Sequence, residues 1–164
     1  MAKPKLKTYF GRLTDKNIEQ LRKLNLVTFP VRYNDKFYSD VLRPENADIT
    51  KLVYHSDILV GAVCCRREVD DKIYIMTLGV LEPYRRYGVG SMMIEHIVDV
   101  VKELNNTDYI YLHVQISNRE AIDFYLKHDF VIAETIENYY KKIKPSQSHL
   151  LKLQIRQHET KDQE

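Results

Sequence analysis

The sequence predicts an α+β (mixed α/β) fold: a central, mostly antiparallel sheet of seven strands with one parallel pair, and about four helices. Three observations carry this. Seven short segments rich in β-branched and aromatic residues recur along the 164 residues, and helical apolar spacing separates only some of them. The second, third and fourth of these segments are joined by turns short enough for hairpins. The step from the fourth to the fifth passes through a whole helix, a crossover of the length that sets two strands parallel.

Taken in order, KTYFGR (7–12) reads as a short strand. Thr14 or Asp15 is expected to cap a helix carrying Ile18, Leu21 and Leu24 or Asn25 on one face, with Pro30 at its end. Asn34 is placed to cap a second short helix bearing Phe37, Tyr38, Val41 and Leu42, and 43–49 reads as loop. TKLVYHSDILVGAVCC forms two strands around a His-Ser-Asp turn, and the charged stretch RREVDDK turns the chain again. IYIMTLGVL is the fourth strand, broken by Pro83. From Val89 to Leu104 a helix face is marked by Met93, Ile97, Val101 and Leu104. DYIYLHVQI is the fifth strand, Asn118 caps a helix over about 119–128, and FVIAETI and HLLKLQI are the last two strands. The polar end, HETKDQE, is expected to fray.

Bulk composition narrows the function. The length fits one domain with a real core, and 44% hydrophobic residues suit a soluble globule. A net charge of +2 argues against a nucleic-acid or membrane-surface partner while leaving room for one small basic pocket. No run approaches the length that spans a bilayer, and MAKPKLKTYFGR lacks a signal peptide's apolar stretch. Cys64 and Cys65 are adjacent, so in a strand they point to opposite faces and do not pair readily. They suggest a reducing compartment, cytoplasmic with the nucleus as an alternative, and no metal site.

EPYRRYGVG (82–90) holds two of the chain's five glycines beside paired arginines, just ahead of a helix. Glycine lets a ligand approach the backbone, and a helix's first turn offers N–H groups and partial positive charge. Arg85 and Arg86 add forked donors suited to phosphate oxygens. A Walker loop is excluded by the missing Gly-Lys-Ser/Thr ending, and a dinucleotide loop by Met93 where a third glycine is needed. On the residues alone two readings stay open: a diphosphate cradle, or a turn with a solvated arginine pair.

Alternation in the fifth strand puts Ile110, Leu112, Val114 and Ile116 on one face and Tyr109, Tyr111, His113 and Gln115 on the other. In the fourth, Tyr74, Met76 and Leu78 share a face. If the two strands are neighbours, Tyr74 and His113 can face one cavity. By themselves a strand histidine and one of twelve tyrosines also read as ordinary structural residues.

The Arg-x-x-Gly-x-Gly pattern of Arg85 to Gly90 resembles the acetyl-CoA-binding signature of the GNAT acetyltransferases, and the order of elements is similar to that fold. FPVRYNDKFY (29–38), YIMTLGVLEPYRRYGVG (74–90), YLHVQISNREAIDFY (111–125) and NYYKKI (138–143) resemble the NatE-type, or San, N-terminal acetyltransferases over roughly residues 7–155. The resemblance implies a GNAT fold, a single domain over 1–156 with a polar tail at 157–164, and acetyl-CoA as co-substrate without metal. It implies general-base roles for Tyr74 and His113 through an ordered water. A free histidine accepts a proton near neutral pH and a tyrosine does not, so His113 is expected to be the principal acceptor.

The same resemblance assigns the cofactor to the backbone around Leu78, Gly79 and Val80, where the fourth and fifth strands splay. It adds the loop Arg85, Arg86, Tyr87, Gly88, Val89, Gly90 and Ser91, with Asn118 and Tyr125 on the CoA arm. Tyr125 would protonate the leaving thiolate; a capping asparagine and a core tyrosine are the plain alternatives. Phe29, Pro30, Val31, Tyr33, Met76, Tyr139 and Tyr140 would wall in a peptide beginning with Met followed by a hydrophobic or bulky residue. The implied partners are nascent or mature protein N-termini and the NatA subunits at the ribosome. Two rival roles are a lysine or small-amine acetyltransferase and a weakly active scaffold of NatA. The family's helix-ending glycine is replaced by Asp129, which costs local stability. The loop Arg43 to Asp48 is longer than expected, and Tyr87 and Val89 replace aliphatic neighbours.

Overall fold

A computed structural model describes residues 4–156; the polar tail predicted at 157–164 lies outside the described residues. Seven strands, β1 (Tyr9–Arg12), β2 (Lys51–His55), β3 (Ile58–Glu68), β4 (Lys72–Val80), β5 (Tyr109–Gln115), β6 (Val131–Ile136) and β7 (Ser148–Gln154), form one sheet in the order β1-β2-β3-β4-β5-β7-β6. The helices are α1 (Ile18–Thr28), α2 (Asp35–Val41), α3 (Val89–Leu104) and α4 (Arg119–Lys127). The predicted α+β class, the seven strands and the parallel β4/β5 pair are all present. The chain resolves into two compact units. One comprises the described residues up to Arg67 with Ile75–Val100, the other Glu68–Tyr74 with the described residues from Val101.

In the first unit β2 pairs antiparallel with β1 and with β3. Leu21 and Leu24 of α1 and Phe37, Tyr38 and Val41 of α2 pack with Leu52, Ala62 and Cys64 in one buried cluster. Buried Asn25 fills the remaining position on the α1 face and donates to the Tyr38 hydroxyl at 3.2 Å. The cap of α1 is Asn17, not Thr14 or Asp15. Its side chain turns back instead, accepting from the Thr14 amide at 2.8 Å and donating to the Arg12 carbonyl at 2.9 Å. Asn34 caps α2 as predicted, accepting from Phe37 N at 3.0 Å. Leu104, read as part of the buried face of α3, ends the helix half exposed.

The third strand runs further than its composition suggests. Arg66, Arg67 and Glu68, read as turn, are strand residues. The loop 43–49 explains part of this. It contains a 3-10 turn (Pro44–Asn46), and the Asn46 side chain accepts from the Arg67 amide at 2.9 Å. The Arg67 guanidinium bonds the Glu45 carbonyl and the Asp48 carboxylate at 2.9 and 2.8 Å, holding the strand's charged end straight. The turn shrinks to three residues, with Asp70 and Asp71 at φ 62° and 57°, a conformation Asp tolerates.

In the second unit β5 pairs in parallel with Lys72–Tyr74, Tyr74 standing opposite Tyr111, and the ladder ends there. On its other edge β5 pairs antiparallel along its whole length with β7, and β6 pairs outside β7. α4 closes with Asp129 at φ 70°. The Asp129 amide bonds the Leu126 carbonyl and the Phe130 amide the Tyr125 carbonyl, a Schellman closure over which the Tyr125 and Phe130 rings pack at 5.3 Å.

Candidate active site

The glycine–arginine loop lies in the first unit. Gly88 has φ +82°, and a Cβ added there would meet nothing within 4 Å. The residue is therefore required by backbone conformation and not by crowding. Its carbonyl accepts the first helical bond of α3, from Met92 N at 3.0 Å. Val89 and Gly90 open that helix, whose first turn, as in any helix, carries amides without an intrahelical acceptor. Arg86 is also left-handed, at φ 68°. Arg85 Nε donates to the Val80 carbonyl at 2.9 Å, tying the loop to the end of β4. The Val89 side chain is buried close to Gly61, which leaves its main-chain amide as the group a ligand could use.

At the end of β4 the Leu81 amide bonds the Val60 carbonyl of β3. Period-two alternation then turns the Leu78 and Val80 amides to the edge of β4 away from β3. Gly79 does something the sequence did not indicate. A Cβ on it would lie 2.8 Å from Phe29 Cζ and 2.8 Å from Thr28 Cγ2. Glycine at 79 lets the end of α1 settle on the strand and carries Phe29 with it.

Phe29 begins the aromatic series of the α1–α2 loop: Phe29 meets Tyr33 edge-on at 5.9 Å, and Tyr33 meets Phe37 at 4.5 Å. Tyr33 and Met76 both pack on the buried α1–α2 cluster. Val31 and Tyr33 line a depression of about 230 Å³ with Arg22, Asn25, Leu26 and Tyr38. Pro30 is exposed beside it. The Arg22 guanidinium lies 4.1 Å from the Tyr38 ring centre; the sequence gives Tyr38 only as a residue of the α2 face and does not mark Arg22.

The second unit holds the titratable pair. Tyr74 Oη and His113 Nδ1 are 3.0 Å apart. His113 stacks on Tyr139 at 4.5 Å and 17°, and Tyr139 meets Tyr140 edge-on at 4.9 Å. The Tyr140 amide is held by the Ser146 carbonyl at 2.9 Å. Burial, with Tyr139, Tyr111 and Tyr140 close by, pushes the Tyr74 phenol far above its ordinary range, so it stays protonated. Burial lowers the His113 imidazole, against which Glu134 and Glu68 pull upward. The pair is thus a neutral phenol beside a neutral imidazole, and the phenol proton can rest on Nδ1.

Alternation on β5 holds for Ile110, Leu112 and Val114, which are buried with His113 on the other face; Ile116, expected to continue the buried face, lies past the end of the strand in a turn and is only partly buried. Tyr111 shares that face; its ring lies 4.9 Å from Tyr74, and its hydroxyl donates to the Glu68 carboxylate. The alternation that selected His113 also marks Tyr111. Glu68 was hidden because it was read as turn. Asn118 caps α4, accepting from the Ala121 amide at 3.2 Å, and Tyr125 is 6% exposed in the closure described above. Cys64 and Cys65 are fully buried, and burial pushes the Cys64 thiol up to about 12, which removes it as a nucleophile.

Comparison with known proteins places these features in company. The sequence model of the acetyltransferase (GNAT) family matches residues 18–130. The chain is 53% identical over 149 residues to "Probable N-acetyltransferase san" of Drosophila melanogaster, covering 89% of this chain and 80% of that one. It is 52% identical over 149 residues to N-alpha-acetyltransferase 50 of Danio rerio, covering 89% and 88%. Among solved structures it resembles Arabidopsis thaliana Naa50 in complex with the bisubstrate analogue CoA-Ac-MVNAL, with TM-score 0.83, 44% identity, and 90% and 99% of the two chains covered.

Proposed function

The chain belongs to the GNAT acetyltransferase family, and from that membership we propose that it moves acetyl from acetyl-CoA to the α-amine of peptides and proteins beginning with Met and a hydrophobic or bulky residue. The observation that carries the reading is the Tyr74–His113 pair, 3.0 Å apart with the imidazole stacked on Tyr139.

The chemistry follows from the side chains. A peptide α-amine, with a pKa of about 7.7–8.0, is partly neutral at cellular pH, whereas a lysine is roughly 2.5 units, or about 3.4 kcal/mol, harder to deprotonate. A modest base is enough for the first. The amine nitrogen attacks the thioester carbonyl while a water passes the amine's proton to the Tyr74 hydroxyl, which hands its own proton to His113 Nδ1. The Leu78 and Val80 amides, on the edge of β4 away from β3, are the donors for the oxyanion. The carbon–sulfur bond breaks, and Tyr125 protonates the thiolate. The Gly88 loop, with Arg85 and Arg86, receives the diphosphate. A thioester is activated enough for direct transfer, so the mechanism asks for no metal and no acyl-enzyme.

Val31, Tyr33, Phe29 and Met76 supply apolar surface for the first side chains, and Tyr139 and Tyr140 the aromatic wall near the amine. The same reading makes protein N-termini the partners, adds the NatA subunits at the ribosome, and places the protein in the cytoplasm and nucleus. The test is acetylation of a Met-Leu peptide against an N-blocked lysine peptide by the purified chain. Faster transfer to the α-amine is expected; faster transfer to lysine overturns the proposal. Calorimetry showing no acetyl-CoA binding would leave a scaffold instead of an enzyme.

A further inference from the structure

The face of the second unit that carries Tyr74 and His113 does not end there. Residues paired across a sheet point to the same side, so register builds rows. His113 pairs with Leu150 and Leu150 with Glu134; Tyr111 pairs with Lys152; Lys72 pairs with Tyr109. Beside His113, its row partners Leu150 and Glu134 join Lys72 and Lys152 in lining a trough of about 520 Å³ floored by Tyr111 and Tyr109. Toward the opposite end of β5 the Gln115 side chain donates to the Pro145 carbonyl at 2.8 Å. From His113 this face continues along β5 through Tyr111 to Tyr109.

Charge along this trough is graded. Glu134 stands in the His113 row and Glu68 holds the Tyr111 hydroxyl; both carboxylates act on His113. Beyond them the sign reverses. Lys152 Nζ is 3.9 Å from the Tyr109 ring centre and Lys72 Nζ is 5.5 Å from it. His113 and Tyr109 are four residues apart on β5, about 13 Å, the span of about four residues of extended chain.

We infer that this trough receives the substrate chain downstream of its first two residues, with a basic side chain favoured at the third position, between Glu68 and Glu134, and an acidic one at the fifth, under Lys72 and Lys152. The inference rests on the N-terminal acetylation reading, because it fixes the amine at Tyr74 and His113. The tyrosine floor suits an extended peptide of any sequence. The charges select among peptides, and more by affinity than by rate of chemistry.

The test uses the purified full chain, acetyl-CoA and two peptides of identical composition, one beginning Met-Leu-Lys-Ala-Glu and the other Met-Leu-Glu-Ala-Lys. Exposed charge pairs of this kind should favour the first by about fivefold in kcat/KM, carried mostly by KM. The preference should fall toward unity at about 1 M salt. Glu134→Lys should shrink the preference between the two peptides, and Lys72→Glu with Lys152→Glu should shrink it as well. Equal kcat/KM for the two peptides in the wild type overturns the trough and leaves N-terminal acetylation standing. A preference untouched by the charge reversals also overturns it. Failure to acetylate either peptide removes the functional reading and this inference with it.

Discussion

Tyr74 and His113 meet diagonally across the parallel β4/β5 pairing: Tyr74 stands opposite Tyr111, and His113, two residues further along β5, brings Nδ1 to 3.0 Å from the Tyr74 hydroxyl. A phenol raised far above its ordinary range is no base by itself, and the partly buried imidazole meets it directly through Nδ1. The two therefore act as one relay. Tyr74→Phe and His113→Gln should each lower kcat by about 10²–10⁴-fold, and the double variant should lose little more than either single one, because residues acting as a unit are not additive. Steady-state kinetics on a Met-Leu peptide measure this; independent, multiplying losses would break the relay into separate roles.

The pH profile separates the relay from the substrate. Burial holds His113 below its ordinary 6.5, so the neutral, proton-accepting form persists further into acid than in a free histidine. The free α-amine titrates at about 7.7–8.0. Log kcat/KM is expected to fall with slope one below about 8 and to steepen to slope two only below about 6.5, where His113 takes its proton. In His113→Gln the second break should vanish and the first remain. A steepening that begins above 6.5 would mean the imidazole is not the group being protonated.

Gly79 and Gly88 are required for different reasons, and their alanine variants should fail differently. At Gly79 the added methyl runs into Phe29 and Thr28 at 2.8 Å. Crowding of that kind costs about 1–3 kcal/mol, and its kinetic signature should be a raised peptide KM as Phe29 is displaced. At Gly88 there is open space but φ is +82°, so alanine costs about 1–2 kcal/mol of backbone strain and should weaken acetyl-CoA binding while leaving the peptide KM near its original value. Thermal denaturation with calorimetry of acetyl-CoA binding distinguishes the two; matching effects on both ligands would refute the division.

Local chemistry made much of this legible. The alternation in DYIYLHVQI placed His113 on the right face, and the crossover length through α3 gave the parallel pair that brings Tyr74 beside it. Asn34 and Asn118 cap the helices they were expected to cap because the Asx side chain and the amide it serves lie within one turn. What stayed hidden depends on distant partners. Glu68 looked like turn because nothing nearby shows that Asn46, Glu45 and Asp48 hold Arg67 in strand. Asn17 displaced Thr14 and Asp15 as the cap because its side chain is spent on the preceding turn. The space-making role of Gly79 exists only once Phe29 lies over it, and the insertion of β7 between β5 and β6 leaves no mark in chain order.

Asp129 tests whether a departure from the family pattern is confined to stability. It sits at φ 70° in the closure of α4, where the amides of Asp129 and Phe130 satisfy the carbonyls of Leu126 and Tyr125. A non-glycine residue in that region bears about 1–2 kcal/mol of strain, while glycine gives back about 0.4–1 kcal/mol through the freedom of its unfolded chain. Asp129→Gly should therefore raise unfolding stability by roughly 0.5–1 kcal/mol, a gain of a few degrees in Tm for a chain of this size. The backbone bonds that set the closure, and the packing of Tyr125 on Phe130, need no change. Activity on a Met-Leu peptide at 25 °C should stay at the wild-type level, and a loss of rate without a loss of stability would show that the Asp129 carboxylate takes part in positioning Tyr125.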